Sequence, residues 1–424
     1  MHKLVLAFLL AVIPVGAWAR DSAPILDQRA EDIVAALNHE QDPADVFGLN
    51  FLSQVPPEQL DMLLGQLTSQ FGTLLGVEFV EPIGSTGGAR IALRFERAIG
   101  KGLFQLEPSG ERKIAGFRLT EFQPVEDNAG KVSSDLQALP GSVSVYFAPL
   151  EGGSPILSIN ADRQLAIGST FKLYVLAALT RSIAEGEHGW DEVIALGKRS
   201  FPSGQMQDWP DKAPVTAQTL ASMMISISDN TATDTLIRLI GRDAVEAELA
   251  ASGHSQPSLN VPFMTTREMF TMKAGPDDVL AAYRAGSASE RERILSDIGD
   301  RPLELAQISE AFAAGPRAID VEWLASGQDI AGIFRHIVAL GDQTALDILA
   351  INPALSEDQQ AGWPYIGYKG GSEPGVLNLS WLLRNEEGAY YVLSMGWNNP
   401  EAVLDQPAFE LLSQRVLALG STGE

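Results

Sequence analysis

The chain has 424 residues, 54 of them acidic against 30 basic, giving a formal net charge of −24. That balance argues against nucleic acid or an anionic membrane as a partner, while 45% apolar and 20% charged residues suit soluble cores rather than disorder. The absence of cysteine excludes disulfides, thiolate catalysis and cysteine metal sites, and the five histidines (His2, His39, His188, His254, His336) form no H-E-x-x-H and no close pair, so neither a metal nor a cofactor is signalled.

Residues 1–19 read as a secretory signal. Lys3 supplies the charge, residues 4–15 an apolar core too short to span a bilayer, and Ala17-Trp18-Ala19 the small-x-small cleavage pattern. The expectation is a periplasmic or secreted protein that is not inserted in a membrane after cleavage. Residues 22–125 read as a separate small domain. Apolar spacing predicts helices over 27–37 and 57–71, with Leu60, Leu63, Leu64 and Leu67 on one side. Alternating runs at 77–80, 91–95, 103–106 and 114–119 predict half-buried antiparallel strands, the last two separated by the turn Pro108-Ser109-Gly110. Helices followed by a curved sheet resemble a cystatin-like or NTF2-like (ketosteroid-isomerase-like) cone. No carboxylate is placed for isomerase chemistry, so a structural or substrate-rim role is expected of it.

The polar stretch 126–136, with Asn128-Ala129-Gly130, reads as a linker, and 137–424 as the second domain. There, strands at 142–147 and 155–159 precede a long helical stretch, 172–350. Strands follow at 365–369, 376–383 and 390–397, then a closing helix at 407–419. This order implies one sheet built from both ends of the domain, a helical lobe beside it and a cleft between. The fold class is α+β.

Three clusters carry the chemistry. In Ala166-Ile167-Gly168-Ser169-Thr170-Phe171-Lys172-Leu173 a serine and a lysine three apart share a helix face at a helix start. A lysine whose pKa is lowered can take the serine's proton, and free backbone N–H groups at the helix start can hold an oxyanion, or the pair is a surface serine beside a snorkelling lysine. In Ser228-Asp229-Asn230, on a turn between helices, a hydroxyl and a carboxamide can both face a cleft. The hydroxyl relays a proton and the amide holds a carbonyl, or the three simply cap a helix. In Tyr368-Lys369-Gly370-Gly371-Ser372 a lysine projects from a predicted strand, and the glycines let a substrate backbone lie against it. The N–H of Ser372 is a candidate second oxyanion donor. The alternative is a β-turn with a solvated lysine.

The order S-x-x-K, S-D-N, K-G-G resembles the penicillin-recognising serine hydrolases, class A β-lactamases and penicillin-binding proteins. Ser169 and Ser228 stand 59 positions apart, close to the class A interval, and the likeness covers residues 142–419. It implies an antiparallel sheet plus helical lobe, with Ser169 as acylated nucleophile, Lys172 as its base and Ser228 as proton shuttle. Lys369 is implied as electrostatic support, and Asn230, Gly371 and Ser372 as substrate-binding residues. The amides of Ser169 and Ser372 are the implied oxyanion hole. Two departures stand out. Where class A carries the deacylating Glu of an E-x-x-L-N loop, this chain has Gln256-Pro257-Ser258-Leu259-Asn260, which puts fast β-lactam turnover in doubt. The usual K-T-G or K-S-G is Lys369-Gly370-Gly371, so one hydroxyl ligand for a substrate carboxylate is missing. Ser228 and Lys369 are 141 positions apart, which marks an insertion near 274–328 in the helical lobe.

The leader domain, the missing Glu, Pro262-Phe263-Met264-Thr265-Thr266-Arg267-Glu268 and Asp320-Val321-Glu322-Trp323 together resemble a subgroup, the β-lactamase-like serine hydrolases of clavulanic acid biosynthesis clusters. That likeness implies a weak esterase or cephalosporin-directed hydrolase. Glu322 reads either as a substitute base or as a structural ion pair, the latter favoured, and Thr265 and Thr266 read as cleft-lining, their direction not fixed by the sequence. Three functions remain open: a serine hydrolase acting on a small ester or β-lactam, a peptidoglycan DD-peptidase, and a non-catalytic binding protein on the same fold.

Overall fold

The computed structural model describes residues 23–421 apart from 85–86, 126–127, 202, 300, 303–304 and 357–358. The expected signal segment, 1–19, lies outside the described residues. The chain divides into two compact units. The first holds the chain up to Val132, the short stretch Ser356–Gln359 and the C-terminal stretch from Pro407. The second holds Ser133–Leu355 and Gln360–Gln406.

The first unit opens with helices α1 (Ala23–Leu37), α2 (Pro43–Val46), α3 (Leu49–Gln54) and α4 (Pro57–Phe71). Strands β1 (Leu74–Ile83), β2 (Gly88–Phe95), β3 (Ala98–Leu106) and β4 (Ile114–Pro124) follow as an antiparallel meander in that order. Perfect alternation of buried and half-buried residues along β3 puts one face in a core with Leu26, Ile33 and a phenylalanine cluster. In that cluster Phe71 stacks on Phe122 with centroids 4.8 Å apart. The short helices α2 and α3 escape periodicity arguments because neither makes two full turns. Asp42 caps α2 by accepting from Ala44 N at 2.9 Å.

The stretch read as a linker is helical over most of its length. Helix α5 (Ala129–Gln137) starts where Asn128 Oδ1 accepts from Lys131 N at 3.0 Å, so the polar residues form a cap and an exposed helix face.

In the second unit β5 (Ser142–Pro149), β6 (Leu157–Ile159) and β7 (Leu165–Ala166) lead to a 3-10 turn, Gly168–Phe171, and to α6 (Lys172–Ala184). The helical lobe continues through β8 (Val193–Ala195), β9 (Pro214–Thr216), α7 (Ala217–Ser226), α8 (Asn230–Ile240), α9 (Arg242–Ala251) and α10 (Thr266–Ala274). The insertion read at 274–328 contributes α11 (Asp277–Ala285), α12 (Ala288–Gly299), α13 (Leu305–Ala313) and β10 (Leu324–Ala325). Then come α14 (Gly327–Leu340), α15 (Gln343–Ala350), β11 (Tyr365–Glu373), β12 (Val376–Arg384) and β13 (Tyr390–Asn398). The closing helix α16 (Gln406–Ser421) groups with the first unit rather than with the domain 137–424 to which the sequence reading gave it.

The sheet of the second unit is antiparallel in the order β11-β12-β13-β5-β6, built from both ends of the domain as expected. Helix α6 is buried on nearly every side, from Leu173 to Leu179, the mark of a core helix. Among the described residues no helix is long and apolar enough to cross a membrane.

Candidate active site

Ser169 is delivered by the turn between β7 and α6. The S-x-x-K spacing spans a 3-10 turn that runs into an α-helix, rather than a single α-helical turn, and residues three apart eclipse in that geometry. The turn is fastened on both flanks. Asn398 acts as a surrogate strand partner for Ala166, accepting from its N–H at 2.8 Å and donating to its carbonyl at 3.0 Å. Ile167 N donates to Trp323 O at 3.0 Å, Thr170 Oγ1 donates to Asn378 Oδ1 at 2.9 Å, and Phe171 stacks on Trp323 with centroids 3.6 Å apart.

Two glycines let the turn meet β11. Gly168 has φ +49°, and a β-carbon there would stand 2.9 Å from Ser372 N. A β-carbon on Gly371 would stand 2.1 Å from Ile167 O and 2.4 Å from Ser169 N. The backbone nitrogens of Ser169 and Ser372 therefore belong to two segments in direct contact, the arrangement an oxyanion hole requires.

Lys172 is fully buried. Its ammonium donates to Ser228 O at 2.7 Å, Ser228 Oγ at 3.0 Å and Asn230 Oδ1 at 2.7 Å. Burial, and then the charge of Lys369, hold its pKa well below that of an ordinary lysine, while Asp229 and Asp234 oppose the shift. Lys369, on β11, donates to Ser228 Oγ at 3.1 Å and to Gly370 O, and burial brings its pKa down to about 7. Both lysines thus converge on one hydroxyl. Ser228 itself has φ +60°, a conformation that costs a non-glycine residue about 1–2 kcal/mol. Its carbonyl is held by Lys172 and by Ser203 Oγ at 2.6 Å.

The middle residue of Ser-Asp-Asn, given no separate role in the sequence reading, sets the geometry of that turn. Asp229 is buried, caps α8 by accepting from Ala232 N at 2.9 Å, and accepts from Gln205 N at 2.7 Å and Met206 N at 2.8 Å. Asn230 uses both ends of its side chain inside the protein. Oδ1 accepts from Lys172 and Nδ2 donates to Phe201 O at 2.8 Å, which leaves one amide hydrogen.

Gln256 is exposed, whereas Asn260 is buried and exchanges two hydrogen bonds with the backbone of Leu324, at 2.8 and 2.9 Å. Thr265 and Thr266 are supports. Thr265 forms a capping box with Glu268, and Thr266 Oγ1 lies 2.8 Å from Asp234 Oδ1 and 2.7 Å from Ser200 Oγ. Glu322 forms a buried ion pair with Lys273 at 2.8 Å, the structural reading favoured for it.

Lys273 and Glu373 carry no signal in the sequence. Glu373 follows Ser372, and Glu322 precedes Trp323, whose carbonyl receives Ile167 N. Lys273 binds both carboxyls and so ties together the segments that carry Ser372 and Ser169. Burial, then the Glu322 charge, push the Glu373 carboxyl well above the usual carboxylate range, while the two carboxyls raise the Lys273 pKa against its own burial.

Residues 129–298 match the model of the Beta-lactamase enzyme family. Solved structures similar to the chain include a β-lactamase from Sphaerobacter thermophilus DSM 20745, at 23% identity over 70% of this chain and 96% of that one, with a TM-score of 0.46. PBP-A is similar at 18% identity over 69% and 95%, TM-score 0.47. A β-lactamase from Chitinophaga pinensis DSM 2588 is similar at 15% identity over 69% and 98%, TM-score 0.48. No curated protein matches the chain. The matched stretch holds Ser169, Lys172, Ser228 and Asn230.

Proposed function

We propose that this chain is a serine hydrolase that forms an acyl-enzyme at Ser169 on a small ester or a β-lactam of the cephalosporin kind. One observation carries the reading. Two buried lysines from distant parts of the chain, Lys172 and Lys369, donate to the same Ser228 hydroxyl, at 3.0 and 3.1 Å. Burying two ammonium groups side by side is costly and has no packing benefit an apolar residue would not also give. It makes sense where one amine must be neutral enough to take a proton and the other must draw in an anion. In this reading Lys172 accepts the Ser169 proton, Ser228 passes a proton to the leaving group, and the amides of Ser169 and Ser372 hold the oxyanion. Asn230 offers its remaining amide hydrogen to the substrate.

The second step, release of the acyl group, is slow in this reading. Position 256 carries an amide, which is no base, and Glu322 is engaged by Lys273. The reading includes export to the periplasm or beyond, a structural or rim role for a cystatin/NTF2-like first unit, and kinship with the hydrolases of clavulanic acid clusters.

A fluorescent penicillin tests it. The expected result is a labelled band in the wild type and none in Ser169→Ala. Release of D-Ala from a peptidoglycan-type peptide would redirect the assignment to a DD-peptidase. Absence of both labelling and ester turnover would contradict acyl-enzyme chemistry.

A further inference from the structure

The segment around Trp323, which props the turn that carries Ser169, also walls a cavity of about 240 Å³. Ser169, Lys172, Ser228 and Lys369 line no part of it, so it is separate from the place where they meet. Part of its wall is apolar, supplied by Leu259, Pro262, Met264 and Val321. The charges on the rest are unevenly matched. Arg284 holds Asp320 through two hydrogen bonds of 2.6 Å, and Glu322 is engaged by Lys273 at 2.8 Å. Arg291 has no carboxylate partner among the described residues. Its Nε donates to Tyr283 O at 2.9 Å, its Nη2 donates to Arg284 O at 3.2 Å, and its guanidinium lies over the Tyr283 ring, 5.3 Å from the centroid. The other terminal nitrogen keeps both of its hydrogens.

A second donor on the same wall lacks a partner. Trp323 is buried with its ring stacked on Phe171, and its Nε1 finds no acceptor among the described residues. Buried N–H groups are almost always bonded, so this one marks a place for an acceptor from outside the chain. Tyr283 is buried on the wall as well, and burial pushes its pKa up to about 12, which keeps the phenol a donor.

We propose that this cavity binds a small organic acid with an apolar body, and that Arg291 takes its carboxylate. One unpaired cation suits a monoanion, and the apolar wall suits a hydrocarbon body. A cavity of roughly 150 Å³ is enough for a benzene ring, so this one has room for such a ring with a short acid arm. The indole N–H of Trp323 and the phenol of Tyr283 supply the neutral donors that orient the ligand. The inference does not rest on the acylation of Ser169, since a chain that never forms an acyl-enzyme would still hold the acid.

Isothermal titration calorimetry of the full chain with phenylacetate and with its methyl ester tests this. The acid is expected to bind with a Kd of about 1 mM or tighter, and the ester at least about 10-fold more weakly. Arg291→Gln should erase that preference, and Arg291→Lys, which keeps a charge, should retain part of it. Trp323→Phe keeps a ring against Phe171 and removes the N–H, so it should weaken the acid roughly 10-fold or more, the scale of a lost hydrogen bond to a charged group. Lys369→Met removes a cation next to Ser228 and should leave the affinity for the acid unchanged. A wild type that does not bind the acid, a preference that survives Arg291→Gln, or an affinity unchanged in Trp323→Phe overturns the site. Loss of binding in Lys369→Met overturns it too, because the acid would then sit beside Ser228.

Discussion

A β-carbon on Gly371 would stand 2.4 Å from the backbone nitrogen of Ser169, closer than any side chain can tolerate. The strand carrying Lys369 and the turn carrying Ser169 therefore meet backbone to backbone, and only glycine permits it. Gly371→Ala should push β11 away from the turn and separate the Ser169 and Ser372 amides. We expect acylation by a penicillin to slow by at least about 100-fold, the scale of losing one oxyanion donor, with a lower Tm. Normal labelling kinetics in Gly371→Ala would show that the two amides do not work together.

Ser228 is the residue on which both lysines converge, and its φ of +60° makes it a strained one. Two substitutions separate these properties. Ser228→Ala and Ser228→Gly both remove the hydroxyl, and each should slow turnover by about 100-fold or more, the range for a positioned proton carrier. Ser228→Gly also relieves the backbone, so it should be about 1 kcal/mol more stable than Ser228→Ala in urea unfolding. Equal stabilities would mean that the left-handed conformation costs nothing here.

The pH profile follows from the two lysines. Burial brings the Lys369 pKa to about 7, so its ammonium is fully charged well below neutrality and is lost as pH rises through that value. With an anionic substrate, kcat/KM should therefore fall on the alkaline side with a midpoint near neutrality. Lys172 acts in the opposite sense. Burial and the Lys369 charge lower its pKa, and its neutral form, the base, gains as pH rises. The product is a bell. Lys369→Arg stays charged throughout, so its profile should lose the alkaline limb even if its peak rate is lower. An alkaline limb unchanged in Lys369→Arg would assign it to another group.

Lys273 ties Glu322 to Glu373 in the interior, behind the segments that carry Ser169 and Ser372. Removing the cation alone strands two carboxyls, so Lys273→Met should cost about 3–5 kcal/mol. Adding Glu322→Gln and Glu373→Gln removes the stranded carboxyls and should recover most of that loss. Denaturant midpoints of the single and triple variants check this. A triple variant no more stable than the single one would show that the stranded carboxyls are not the cause.

Much of this architecture was legible in the sequence because it depends on local patterns. Alternation gave β2 and β4, helical spacing gave α1 and α4, and Ser169, Lys172, Ser228 and Lys369 stood in motifs whose order implied convergence. What the sequence did not disclose depends on long-range partners. Nothing near Lys273 or Glu373 indicates that they meet, because they lie 100 positions apart. The clamp of Asn398 on Ala166 spans 232 positions. Thr265 and Thr266 look alike as neighbours, and only Asp234 and Ser200, brought in from the helical lobe, decide that Thr266 is a support. The polar stretch 126–136 read as a linker because capping and linker residues share a composition, and Asn128 turned out to start a helix. At Gly370 the sequence suggested a deficit, and the Tyr368 phenol that fills the space was visible only in three dimensions.

The central claim is that Ser169 becomes acylated. The most direct measurement is time-resolved intact mass of the purified protein after mixing with a penicillin, a cephalosporin and an activated ester, beside Ser169→Ala. The account predicts a penicillin adduct that forms within the mixing experiment, decays slowly because no carboxylate replaces Gln256, and is absent from the variant. An adduct that persists in Ser169→Ala, or no adduct and no turnover with any of the three compounds, would contradict it.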